Sequence, residues 1–192
     1  MHRDELKELF KKSKALLEGH FKLSSGLHSN IYFQSALILQ YPRKTTRLAE
    51  ELVRKIKEVN IRVDVVLSPA MGGVIVGYEV GRLLDVRAMF TERIDGYVAL
   101  RRGFSLHKGE RVLIVEDVIT TGVSTKEVMN SIEPIGAEVV AVVSLVDRSA
   151  GKVNFAKVPR FSLLSLEVKN YKKFECPLCK VGIKIIKPGS RK

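Results

Sequence analysis

The chain is predicted to fold as an α/β protein built on a central parallel sheet flanked by helices, and three features of its 192 residues carry that prediction. Short strand-like runs recur at Val63–Leu67, Val86–Phe90, Arg111–Val115 and Val139–Val146, the last two almost continuously apolar, as in strands covered on both faces. Between them lie stretches whose apolar residues return every three or four positions. Ser-Pro, Gly-Gly and Thr-Gly punctuation marks the junctions.

Taken in order, Leu6, Leu9, Phe10 and Leu17 predict an opening amphipathic helix from Asp4 to Leu17. Leu48, Leu52, Ile56 and Val59 predict a second, from about Thr45 to Val59. Val63–Leu67 is a strand ending at Ser68-Pro69, Gly72-Gly73 opens a helix to about Leu84, and Val86–Phe90 completes a βαβ unit. After a charged interval comes the strand Arg111–Val115, then a turn of Thr and Gly and a helix through Val128, Met129 and Ile132, stopped by Pro134 and Gly136. Val139–Val146 is a third buried strand, and Phe161–Leu166 a fourth at or near the edge. Ligands of such sheets bind beyond the carboxyl ends of the strands, so the loops after Leu67, Val115 and Val146 should converge.

With 45% hydrophobic residues the length suits one domain. No run of apolar residues is long enough for a membrane span, and none near Met1 resembles a signal peptide, so no membrane partner is expected. Two cysteines, Cys176 and Cys179, are too few for a disulfide framework and fit a reducing compartment, which predicts the cytoplasm. The net charge of +12 is compatible with nucleic acid, an acidic small substrate or a solvated basic surface. Basic residues are spread from Lys7 to Lys192 without interleaved aromatics, which argues against nucleic acid.

The stretch Val112–Thr125 carries the most chemistry. An apolar strand delivers Glu116 and Asp117, then Val118, Ile119, Thr120, Thr121, Gly122, Val123 and Ser124 lead directly into a helix. Gly122 permits close backbone approach, the hydroxyls of Thr120, Thr121 and Ser124 can donate, and a helix N-terminus offers N–H groups with a positive dipole: a cradle for phosphate. Carboxylates would repel phosphate but accept hydrogen bonds from sugar hydroxyls, so a phosphorylated sugar satisfies both halves. The plainer alternative is a strand end followed by an ordinary helix cap.

This segment resembles the phosphoribosyl pyrophosphate (PRPP) motif of type I phosphoribosyltransferases. Gly19 to Gln34, with its Ser25-Gly26 turn and the aromatic pair Tyr32-Phe33, resembles the N-terminal signature of the orotate phosphoribosyltransferases, in a shorter prokaryotic form. Ser68 to Gly73 and Val146-Asp147-Arg148 match that family's pyrophosphate loop and third strand end, and the likeness runs from about Leu16 to residues 187–191. It implies the type I fold with a small hood from the N-terminal segment, divided as hood 1–42, core 43–168 and C-terminal extension 169–192. It also implies transfer of ribose 5-phosphate from PRPP to orotate, with Mg²⁺ carried by PRPP and no direct protein ligand, in a homodimer.

By the same likeness, Glu116 and Asp117 hold the ribose hydroxyls and residues 118–124 the 5-phosphate. Thr120, Arg148, Tyr32 and Phe33 meet orotate, Arg148 because its planar fork pairs with a carboxylate; core packing is the plainer role for the two aromatics. Ala70, Met71 and Gly72, with Arg93, Arg101 and Arg102 from a closing loop at Thr91–Phe104, meet pyrophosphate, and Arg93 joins the acidic pair as a catalytic candidate. The chain departs from the family's usual pattern at Ser24, at Met71-Gly72 and in the loop, where three arginines stand and no lysine. A PRPP-sensing regulator and a purine or uracil phosphoribosyltransferase are the alternatives on the same fold. Cys176-Pro177-Leu178-Cys179 resembles half of a zinc ribbon, but no histidine lies near it in sequence.

Overall fold

Helix α1 (Arg3–Lys12) has Asp4 and Glu5 in its first turn and Lys11 and Lys12 in its last, matching the helix dipole, and buries Leu6 and Phe10. The periodicity carried this helix to Leu17, but in the computed structural model it stops at Ser13. Lys14 takes a left-handed conformation (φ 56°), while Ala15 N donates to Phe10 O and Lys14 N to Lys11 O. That is a Schellman closure without the glycine that usually announces one. Leu16 and Leu17 therefore enter β1 (Leu16–Lys22), which pairs antiparallel with β2 (His28–Phe33). The structure describes residues 1–23 and 25–188, so Ser24 and residues 189–191 of the family likeness lie outside it.

The remaining elements are α2 (Ala36–Leu39), α3 (Pro42–Glu58), β3 (Val65–Pro69), α4 (Gly72–Leu84), β4 (Arg87–Ile94), β5 (Tyr97–Leu100), β6 (Arg111–Ile119), α5 (Val123–Ile132), β7 (Glu138–Asp147), β8 (Arg160–Ser165), β9 (Asn170–Tyr171) and the single turn α6 (Pro177–Lys180). They fall into two compact units: Met1–Ile38 with the chain from Glu167 onward, and Leu39–Leu166. In the first, β9 pairs with β2 to give the order β1-β2-β9, and Phe21 bridges to Ile186. The C-terminal segment, read from sequence as an extension, is thus part of the unit that the N-terminal segment begins.

The second unit is a six-stranded sheet in the order β5-β4-β3-β6-β7-β8. It is mixed rather than wholly parallel, because β5 runs antiparallel to β4. The turn between them is Asp95-Gly96, both with positive φ (49° and 89°), a combination suited to a tight hairpin. The closing loop expected over Thr91–Phe104 is therefore largely this hairpin. Val65 and Leu67 of β3 and Val112 and Ile114 of β6 share one buried cluster with Val128 and Ile132 of α5. Opposite, α4 lies so close to the sheet that a Cβ at Gly77 would fall 1.9 Å from Ser68 Oγ and 3.6 Å from Val66 Cγ1, and α3 packs on α4. Strand alternation accounts for the two layers. Helix α3 begins three residues before the sequence reading because Pro42 starts it, its fixed φ being ready for the first turn. Among the described residues no helix is long and apolar enough to cross a membrane.

Asp64, just before β3, ties that strand to the start of β6. Its Oδ2 accepts Arg111 N at 2.9 Å and Nε at 2.8 Å, and its Oδ1 accepts the guanidinium at 2.5 Å. The Arg111 hydrogen bonds, with its charge, hold the Asp64 carboxyl down at about 2. A depressed acid contributes stability above its ordinary value of 3.8 and loses it as pH falls through about 2. The pair is partly exposed, so Asp64→Asn should lower the melting temperature at pH 7 by no more than about 4 °C, with the difference vanishing in strong acid. Calorimetry at both pH values checks this.

Candidate active site

From β3 the chain crosses through α4 to β4 on one side, and from β6 through α5 to β7 on the other. The two connections diverge between β3 and β6, which leaves a crevice at their carboxyl ends, the place where open α/β sheets bind ligands. Ser68–Gly73 and Glu116–Ser124 both end there. A Cβ on Gly72 would stand 2.5 Å from each Asp117 carboxylate oxygen, so the carboxylate rests directly on the backbone of the pyrophosphate-type loop. Ala70, Met71 and Gly72 are exposed around it.

Strand β6 runs on to Ile119, so the acidic pair sits inside its last turns of pleat rather than beyond it. Alternation sends the two side chains to different faces, and their surroundings differ. Glu116 is 7% exposed, and burial, followed by the negative charge of adjoining Asp117, pushes its carboxyl up to about 9. At neutral pH it is a neutral acid that can donate a hydrogen bond. Asp117 is partly exposed and supplies the carboxylate.

Past Ile119, the side chains of Thr120, Thr121, Val123 and Ser124 are exposed, while Gly122 is buried with φ 73° at the N-cap of α5. A Cβ there would meet Val153 Cγ1 at 2.5 Å and the Phe155 ring at 3.2 Å. The turn thus needs glycine twice, for its backbone conformation and for the packing beneath it. Helix α5 begins at this turn with no side-chain cap hydrogen bond, and the N–H groups of a helix's first turn are the kind of donor that phosphate binding uses.

The third strand end is fastened to the same turn. Arg148 N donates to Ile119 O at 2.8 Å, setting half-buried Arg148 beside Thr120. Asp147 is buried and accepts from Ser149 N (2.8 Å), Ser149 Oγ (2.6 Å) and Gly151 N (3.1 Å), with Arg160 paired to it at 3.1 Å. It builds the loop that carries Arg148. Sequence reading passed over this role, although an Asp two residues before a Ser is a turn signal in its own right.

The sequence pattern described as a phosphoribosyl transferase domain matches residues 37–175. An orotate phosphoribosyltransferase of Caldanaerobacter subterraneus subsp. tengcongensis is 51% identical over 192 residues, covering all of both chains. One from Carboxydothermus hydrogenoformans is 52% identical over 188 residues, 98% of each. The chain belongs to the orotate phosphoribosyltransferase family. The crystal structure of an orotate phosphoribosyltransferase from Aeropyrum pernix superposes with a TM-score of 0.70 at 26% identity, over 84% of this chain and 94% of that one.

In this orotate phosphoribosyltransferase family member the three hairpin arginines are not equivalent. Arg93 donates to Gly96 O at 2.7 Å and pairs with Glu127 of α5. Arg102 holds Glu92 through two hydrogen bonds of 3.0 and 2.8 Å. Arg101 is exposed beside a Glu92 already taken up by Arg102. In the other unit, Phe33 is buried with its ring edge-on to Phe10 at 5.0 Å, the core role left open for it, while Tyr32 is partly exposed and tilted against Phe21 at 5.8 Å. Cys176 and Cys179 stand in that unit too, and there His20 and His28 join them, although they lie far apart in sequence.

Proposed function

We propose that the chain is an orotate phosphoribosyltransferase acting through the β3–β6 crevice, moving ribose 5-phosphate from PRPP to a ring nitrogen of orotate and releasing orotidine 5′-phosphate and pyrophosphate. Full-length similarity to orotate phosphoribosyltransferases supports the activity, and the Asp117 carboxylate resting on the Gly72 loop, on the strand that leads into the Thr120–Ser124 turn, supports the assignment of the site. The turn takes the 5-phosphate and Asp117 accepts from the ribose hydroxyls. Glu116, held neutral, donates or accepts beside it. Negative charge leaves with pyrophosphate while the ribose becomes electron-poor, so catalysis rests on positioning and electrostatic stabilisation.

Mg²⁺ fits this donor set as an ion that travels with PRPP. The acidic pair presents one carboxylate and one neutral acid, too few for a protein cage, and Mg²⁺ is commonly held by phosphate oxygens and water. It would supply neutralisation of the departing pyrophosphate. Among the hairpin arginines, Arg101 is the one we assign to the same task, since Arg93 and Arg102 already hold acids. Arg101→Ala should lower kcat/KM for PRPP by about 10- to 100-fold, the worth of one charge-assisted hydrogen bond, and more than Arg102→Ala does. Steady-state kinetics on the two variants decide it. The same reading makes the enzyme a cytoplasmic homodimer.

Arg148 and Thr120 would fix orotate, Arg148 through the orotate carboxylate. Competition among orotate, uracil and hypoxanthine for limiting PRPP tests the base directly. Orotidine 5′-phosphate should dominate, and Arg148→Ala should raise the KM for orotate with little change in that for PRPP. Preferential conversion of uracil or hypoxanthine would assign the site to another base.

A further inference from the structure

The Cys176–Cys179 knuckle has no part in the proposed reaction, yet it closes the unit built from the two ends of the chain. Cys176, His20 and His28 are buried, with 0%, 2% and 4% of their surface exposed. His20 Nε2 lies 2.9 Å from His28 Nδ1, 3.5 Å from Cys176 Sγ and 3.7 Å from Cys179 Sγ, and His28 Nδ1 lies 3.2 Å from Cys179 Sγ. All four ligand atoms fall within 4.8 Å of one another. Tetrahedral zinc, with bonds of about 2.0–2.1 Å to nitrogen and about 2.3 Å to sulfur, needs ligand atoms roughly 3.3–3.8 Å apart. The cluster is already near that size.

The hydrogen bonding around it orients the ligands. His20 Nδ1 stands 2.7 Å from Ile183 O, and a carbonyl can only accept, so Nδ1 carries the proton and Nε2 turns its lone pair into the cluster. A metal-bound imidazole is commonly fixed by such a bond from its other nitrogen. The knuckle is shaped to match: Pro177 starts the single turn α6, Lys180 N donates to Cys176 O, and Gly182 takes the left-handed conformation that ends the turn. Backbone bonds from Ile186 N to His20 O and from Lys22 N to Ile186 O then stitch the segment after the knuckle to β1.

We infer that His20, His28, Cys176 and Cys179 bind one structural zinc ion. Two nitrogens and two sulfurs complete a tetrahedron from protein alone, which leaves no open position for substrate and makes the site structural. Its ligands come from β1, β2 and the C-terminal knuckle, so the ion cross-links the N-terminal and C-terminal segments that make up this small unit. Sequence spacing concealed the site because its two halves stand at opposite ends of the chain.

The full-length protein, expressed in zinc-supplemented cells and purified without chelators, should carry about one zinc per chain by plasma mass spectrometry. A His28→Ala, Cys179→Ser double variant should carry almost none. Because loss of ligands can also prevent folding, the wild-type chain is tested separately: stripped of metal under reducing conditions and titrated with Co²⁺. It should develop the intense visible bands of tetrahedral cobalt and a thiolate charge-transfer band in the near ultraviolet, saturating at about one equivalent. Folded wild-type protein that is purified without zinc and gives only the weak spectrum of octahedral cobalt would overturn the site and leave a hydrogen-bonded His and Cys cluster in its place. Neither readout depends on the assigned activity.

Discussion

Asp117→Asn is expected to lower kcat/KM for PRPP by at least about 100-fold while the protein stays folded, whereas Glu116→Gln, one residue away, should stay within about tenfold of wild type. The two acids differ because their surroundings differ. Asp117 presents its carboxylate against Gly72, and Asn keeps its shape while replacing an acceptor oxygen by a donor. Glu116 is already uncharged at neutral pH, its carboxyl raised to about 9, and Gln is a neutral stand-in of the same size. The stability effect has a definite sign. An acid whose folded value lies above its ordinary 4.5 binds more protons in the folded protein, so its contribution falls as pH rises from 4.5 towards 9. Glu116→Gln should therefore match wild type in melting temperature near pH 5 and exceed it near pH 9. Equal kinetic losses in both variants would mean that two carboxylates share the work.

Gly122→Val should raise the KM for PRPP by about 10- to 100-fold, well beyond its effect on overall stability. A β-branched residue at φ 73° costs about 1–3 kcal/mol in backbone strain, and the new Cβ would fall 2.5 Å from Val153 Cγ1. The strain should lower the melting temperature by several degrees, since about 1 kcal/mol corresponds to about 2–4 °C for a chain of this size. The larger effect comes from displacing the hydroxyls of Thr120, Thr121 and Ser124 and the first turn of α5. Ser124→Ala, which leaves the backbone in place, should be several times milder. An unchanged KM in the Gly122 variant would remove this turn from the phosphate site.

What the sequence made legible follows from where the physics is local. The strands at the centre of the sheet are buried on both faces, so their apolar runs stand out, and β3, β6 and β7 begin within two residues of where those runs do. The phosphate turn was legible because a glycine, three hydroxyls and a helix start are contiguous. Four things were less so. The end of α1 depends on Lys14 in a left-handed conformation, which no glycine marks. The hairpin at Asp95-Gly96 carries its own turn signal, but the family likeness drew attention to a loop instead. The difference between Glu116 and Asp117 is one of burial, and the joining of His20 and His28 to the Cys176–Cys179 knuckle is one of long-range register; the cysteine spacing showed only half of that cluster.

The central claim is that this crevice turns orotate and PRPP into orotidine 5′-phosphate, and the most direct measurement follows orotate absorbance when the purified protein is mixed with orotate, PRPP and Mg²⁺. Absorbance should fall only when all three are present, with pyrophosphate released in equal amount, and the fall should all but disappear in Asp117→Asn. Folded wild-type protein that binds PRPP and leaves orotate unchanged would contradict the account.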